Sequence, residues 1–152
     1  MIKIWNYGKK THYKDKIFDS VKELNFYKNF CEKYDSPESK FVVKVHPSYQ
    51  IIDKFELESG LTIRGAKYTP DVVIEDHHGN ILHAYDVKNS FTSYGVDASC
   101  KLRFKLFEKQ YGVPVECVVA LKNSFKIKIF GTTKKTKINT FKDINYDWRE
   151  VL

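Results

Sequence analysis

Two short fragments of the chain hold residue types whose spacing suits catalysis. Tyr68-Thr69-Pro70-Asp71 leads into one apolar run, and Asp86-Val87-Lys88 closes another. Side chains two apart on a strand leave the same face, so Asp86 and Lys88 point together. Between the runs lies Asp76-His77-His78-Gly79-Asn80, a turn sequence, so residues 72–74 and 81–87 read as adjacent antiparallel strands. A hairpin closed at that turn carries Asp71 to the end where Asp86 and Lys88 stand.

Two carboxylates about one point suit a hard dication. Mg²⁺ takes oxygen ligands, retains waters, and is commonly held by one or two carboxylates plus substrate phosphate oxygens. Such an ion polarises a phosphodiester and lowers the pKa of an attacking water. A lysine beside it orients that water or stabilises the developing negative charge. The plain alternative is a Pro-Asp turn next to a solvated Asp-x-Lys ion pair. The neighbours Val72, Val73, Ile74, Tyr85 and Val87 weigh against it, because charges among core-type strands are costly without a partner or a task.

The elements that must position these residues follow from periodicity. Val21, Leu24, Tyr27 and Cys31 recur at helical spacing over residues 19–34. Extended stretches are expected at 41–45, 49–57 and 68–75, and again at 115–121 and 125–130. A second helix fits residues 97–111, ended by Gly112 and Pro114, with Leu102, Leu106 and Phe107 on its apolar side. The alternation Lys126-Ile127-Lys128-Ile129-Phe130 marks a half-exposed edge strand. Helix, strands, helix, strands gives a mixed sheet flanked by helices, in the α/β class bordering on α+β.

Composition bounds the rest. With 152 residues and no linker or repeat, the chain reads as one domain with basic N- and C-terminal extensions to its core. A net charge of +7 favours a polyanionic partner. No apolar run approaches the ~20 residues of a membrane span, residues 1–10 lack a signal-peptide core, and a membrane partner is not expected. Three widely spaced cysteines form no Cys-x-x-Cys pair, so neither a zinc site nor a disulfide framework is indicated and a reducing cytoplasm fits.

The ordered set Phe18-Asp19-Ser20-Val21-Lys22-Glu23, Tyr68-Thr69-Pro70-Asp71 and Asp86-Val87-Lys88 resembles the PD-(D/E)xK nuclease superfamily. Within it, the chain looks most like the phage-type Holliday junction resolvases. The resemblance covers roughly residues 18–111. It implies a restriction-endonuclease-like sheet flanked by helices and dependence on Mg²⁺, with Mn²⁺ as a substitute. It also implies a homodimer acting on branched DNA, in a bacterial or phage-infected cell. By the same resemblance Asp71, Asp86 and Glu23 hold the metal, and Lys88 completes the catalytic set. Asp86 stands where many members carry glutamate, and Val72 where phenylalanine is common.

Glu23 has a second reading, because Ser20-Val21-Lys22-Glu23 also fits a helix capping box. Lys9, Lys10, Lys101, Arg103 and Lys105 are candidate phosphate contacts, against the plainer reading of solvated lysine-rich surface. Tyr7, Tyr13, Phe91 and Tyr94 are candidates for stacking on bases. His77 and His78 belong to the turn, His83 to a strand, and His46 to a strand end before Pro47. Two other functions remain compatible with the residues: a non-catalytic nucleic-acid-binding module, and a restriction or repair nuclease of the same fold.

Overall fold

The computed structural model describes residues 10–151. A short hairpin comes first, β1 (Thr11–Tyr13) and β2 (Lys16–Phe18), followed by helix α1 (Val21–Phe26). Ser20 caps this helix, its Oγ accepting from the Glu23 N–H at 3.2 Å. The helix widens into a π turn at Tyr27–Cys31 and tightens into a 3₁₀ turn at Glu32–Tyr34, so the single helix expected over residues 19–34 has three pitches.

Next come β3 (Val42–Val45), β4 (Tyr49–Ile52), β5 (Phe55–Glu56), β6 (Thr62–Ile63) and β7 (Ala66–Tyr68). The central strands are β8 (Val72–Glu75) and β9 (Ile81–Val87). Helix α2 (Ala98–Tyr111) then leads to β10 (Val115–Ala120), β11 (Phe125–Lys128) and β12 (Asn139–Phe141). A 3₁₀ turn at Trp148–Val151 ends the described chain.

Six strands form one mixed sheet in the order β12-β11-β10-β9-β8-β3. Only the β9–β10 pair is parallel, and α2 makes the crossover that parallel neighbours require. The other pairs are antiparallel. Strand alternation divides the core between two faces. Val72, Ile74 and Tyr85 pack with Phe26 and Phe30 on the α1 face; Val73 and Ala84 pack with Phe104 and Phe107 on the α2 face. A mixed α/β sheet flanked by helices is therefore what the chain forms. Among the described residues no helix is long and apolar enough to cross a membrane.

Three expectations need correction. The run 68–75 is two strands, because Pro70 lacks the N–H that a continuous ladder would use. Leu102 is exposed; the buried stripe of α2 is Cys100, Phe104 and Phe107, which recur at i, i+4 and i+7. And β11 is interior, since β12 pairs along its far side; its alternating pattern reflects one solvated face. The three cysteines are all buried and unpaired, and burial pushes the Cys31 and Cys117 thiols upward.

The crossover carries a titratable anchor. Glu108 of α2 accepts the Val115 N–H at 2.9 Å, and burial pushes its carboxyl up to about 7. A carboxyl raised on folding holds its proton more tightly in the native state, so stability falls as pH rises from the ordinary carboxylate range to about 7, then levels. Glu108→Gln keeps the acceptor and removes the charge. We expect it to match the wild type at pH 4 and exceed it by on the order of 1–2 kcal/mol at pH 8. Thermal melts of both proteins at the two pH values check this, and a pH-independent difference would contradict it.

Candidate functional site

The site forms where β8 and β9 leave the sheet edge opposite their turn. The β8–β9 register ends with Val72 opposite Tyr85. The Asp71 N–H donates to the Tyr85 carbonyl at 2.9 Å, one residue out of that register, so an irregular step keeps Asp71 against β9 near Asp86. The Val87 N–H fixes the Asp71 side chain, donating to Oδ2 at 2.6 Å.

Asp86 is buried and held at both oxygens. The Tyr68 hydroxyl donates to Oδ2 at 2.6 Å, and Lys88 Nζ lies 3.1 Å from Oδ1. Lys88 also reaches Cys100 Sγ at 3.5 Å, and its backbone N–H donates to the Val118 carbonyl on β10. Adjacent parallel strands thereby aim the lysine, while α2 roofs it.

Glu23 arrives from the other side. It is 8% exposed, and its Oε2 accepts the Asp19 N–H at 3.2 Å and lies 3.0 Å from His46 Nε2. Capping and site geometry therefore coexist in one carboxylate. His46 follows β3, and its N–H donates to the Asp71 carbonyl at 3.1 Å. Its ring nitrogen stands 3.9 Å from Asp71 Oδ1 and 3.7 Å from Asp19 Oδ2.

The electrostatics are those of crowded anions. Burial first, then the Asp86 and Glu23 carboxylates, hold the Asp71 carboxyl well above its usual range. The Glu23 carboxylate raises His46 against the opposing effect of burial. Burial favours the neutral amine of Lys88, yet Asp86 and Cys100 outweigh it and the net shift is upward, so the side chain is an ammonium. Converging hard oxygens are a donor set that suits a divalent cation.

A family model described as a protein of unknown function (DUF1064) matches residues 5–129. The chain belongs to the DUF1064 family. No curated protein and no solved structure matches it. The DUF1064 segment takes in Glu23, His46, Asp71, Asp86, Lys88 and all of α2, and stops after β11, leaving β12 outside.

Within the DUF1064 fold, Asp71, Asp86, Lys88 and Glu23 are brought to one locality; the hairpin reading expected this of the first three, and the resemblance alone expected it of Glu23. Of the proposed phosphate contacts, Arg103 donates at 3.2 Å to Cys100 Sγ, the sulfur that Lys88 also reaches. Lys101 turns its ammonium over the Phe130 ring, and the Lys105 stem lies along Gly131. Lys10 is exposed, whereas Lys9 and Tyr7 lie outside the described residues. Tyr94 is 99% exposed on the loop after Lys88, while Phe91 packs near Phe130 and Tyr13 is tied to Glu32.

Sequence reasoning gave His46 no role, and it gave Tyr68 none beyond its place in the motif. Only a positive backbone φ brings the His46 ring inward, and no residue pattern announces that. Tyr68 was detectable, since it stands three positions before Asp71 across a proline break. A cavity of about 890 Å³ opens elsewhere, lined by Asp76, Asn80, His83, Tyr146, Trp148 and Arg149 at the turn end of the hairpin.

Proposed function

We propose that this chain is a metal-dependent endodeoxyribonuclease that hydrolyses phosphodiester bonds in branched DNA. The observation that carries the reading is the convergence of Asp71 and Asp86 where β8 and β9 end, with Lys88 on Asp86 and Glu23 beside Asp71. Asp71, Asp86 and Glu23 would hold Mg²⁺ or Mn²⁺. When bound, the metal supplies Lewis acidity toward a phosphate oxygen and a more acidic water.

The chain's own residues do the positioning. Tyr68 and Lys88 fix both Asp86 oxygens before any ligand arrives, and the Val87 N–H does the same for Asp71. Lys88, kept as an ammonium, places positive charge where a pentacovalent phosphate gains negative charge. Arg103 extends that field along α2 toward a neighbouring phosphate, and the chain's net charge of +7 draws the backbone in. The resemblance to phage-type resolvases supports branched DNA as substrate, a homodimer as the working unit, and the cytoplasm of a bacterial or phage-infected cell as its place.

The test is cleavage of matched linear duplex, single-stranded, flap and four-way junction DNA with Mg²⁺, Mn²⁺ or EDTA. Cutting is expected with either metal, strongest on the junction and absent in EDTA. Tight binding with no cut in any substrate would favour a non-catalytic DNA-binding module. Preferential cutting of the linear duplex would favour a restriction or repair role for the same centre.

A further inference from the structure

Three side chains from separate segments meet on the α1 side of Asp71. Asp19 precedes α1, Glu23 lies in its first turn, and His46 follows β3; one ligand atom from each lies within 4.8 Å of the others. His46 Nε2 faces Glu23 Oε2 at 3.0 Å, Asp19 Oδ2 at 3.7 Å and Asp71 Oδ1 at 3.9 Å. Ligands about 2.1 Å from one ion sit roughly 3 Å apart when adjacent and about 4.2 Å apart when opposite. The separations measured from His46 Nε2 fall in that interval.

Two further observations set this histidine apart from an ordinary surface ion pair. Its backbone φ is 52°, in the left-handed region that non-glycine residues seldom occupy, and the strain is held by the bond from its N–H to Asp71. The Ile17 backbone carbonyl is a further acceptor for the ring. That carbonyl suits Nδ1–H, so Nε2 is the nitrogen turned to the carboxylates; without a cation it donates to Glu23 Oε2, and a bound cation would take the place of that proton. Metal-binding histidines are usually oriented by such a bond.

We propose that Asp19, Glu23 and His46 form a second cation seat beside Asp71, one that takes Mn²⁺ or a similar transition dication in preference to Mg²⁺. Imidazole suits first-row transition metals, whereas Mg²⁺ favours an all-oxygen shell. The seat lies on the α1 side and the Asp86–Lys88 pair on the α2 side, with Asp71 between them. The proposal rests on the metal-dependent reading above and adds a nitrogen ligand and a metal preference to it.

Pulsed EPR of Mn²⁺ titrated into the full-length wild-type protein tests it, because a bound imidazole adds a ¹⁴N coupling. We expect that coupling from one histidine, retained under about a tenfold excess of Mg²⁺. In His46→Gln, with circular dichroism confirming the fold, the coupling should vanish and Mn²⁺ affinity fall by roughly tenfold or more. Asp19→Asn should weaken Mn²⁺ binding while keeping the coupling. Bound Mn²⁺ with no ¹⁴N coupling in the wild type overturns the seat, as does a coupling that survives in His46→Gln. A protein that shows the coupling and cuts no DNA keeps the seat and sinks the nuclease reading; one that cuts with Mn²⁺ and shows no coupling does the reverse.

Discussion

Asp86→Asn is expected to lower metal-dependent DNA cleavage by about 10³-fold while leaving junction binding intact. The substitution keeps the size of the side chain and an acceptor for the Tyr68 hydroxyl, which now donates at 2.6 Å. It removes the anionic oxygen that lies 3.1 Å from Lys88 and turns a candidate metal ligand into a neutral amide. Lys88→Ala should act through the other partner, removing the ammonium and slowing cleavage by roughly 10²–10³-fold.

A second readout separates a working site from a structural one. Asp86 is one of the two carboxylates that raise Asp71, so neutralising it relieves like-charge crowding in a buried place. Asp86→Asn should therefore melt no lower than the wild type while losing its activity. Single-turnover cleavage and thermal melts on the same preparations decide the matter. Equal cleavage rates would sink the assigned chemistry, and loss of activity together with loss of fold would reduce Asp86 to a structural role.

The largest effect on stability is expected at the opposite end of β9. His83 and Glu116 are enclosed, with His83 Nδ1 at 2.6 Å from Glu116 Oε2 and Nε2 at 2.8 Å from the Tyr146 carbonyl. A carbonyl only accepts, so Nε2 donates to it and the pair shares one proton across Nδ1 and the carboxyl. The Tyr146 hydroxyl donates to Glu116 Oε1 at 2.7 Å and lies 2.9 Å from the Tyr85 hydroxyl. Removing one member strands the other without solvent. Glu116→Ala should cost about 3–5 kcal/mol, a fall in melting temperature of roughly 10 °C. The double change His83→Leu with Glu116→Leu should cost less than Glu116→Ala, because a well-packed apolar pair leaves no charge behind. Denaturant titrations of the three proteins measure this, and a single variant within about 1 kcal/mol of the wild type would overturn it.

Much of the acidic centre was legible because strand pairing is arithmetic. Once the turn at 76–80 is placed, Asp71 must approach Asp86, and Lys88 must share the face of Asp86. Helix α2 was equally readable from Asp97 at its start, where the side chain accepts the Cys100 N–H, and Gly112 at its end, with φ 75°. Three kinds of feature were not. The short hairpins β1–β2 and β5–β6 and the strand β12 are two or three residues per strand, too brief for a period to register. The apolar side of α2 was misread at Leu102, because a leucine near a helical stripe is not the same as one within it. His46 depends on a backbone angle imposed by its neighbours, and so only the folded chain reveals it.

The enclosure of Cys31, Cys100 and Cys117 leaves the protein without an accessible thiol, since the sequence contains no other cysteine. The exterior is therefore blank to maleimide chemistry. His78 sits exposed in the Asp76–Asn80 turn, where its backbone N–H donates to Asp76 Oδ1 at 2.8 Å. A cysteine installed there would carry a single fluorophore at the end of the hairpin remote from Asp71 and Asp86. Energy transfer from that dye to labelled DNA arms would report the order in which the protein grips, bends and releases a branch, without a probe touching the reacting atoms.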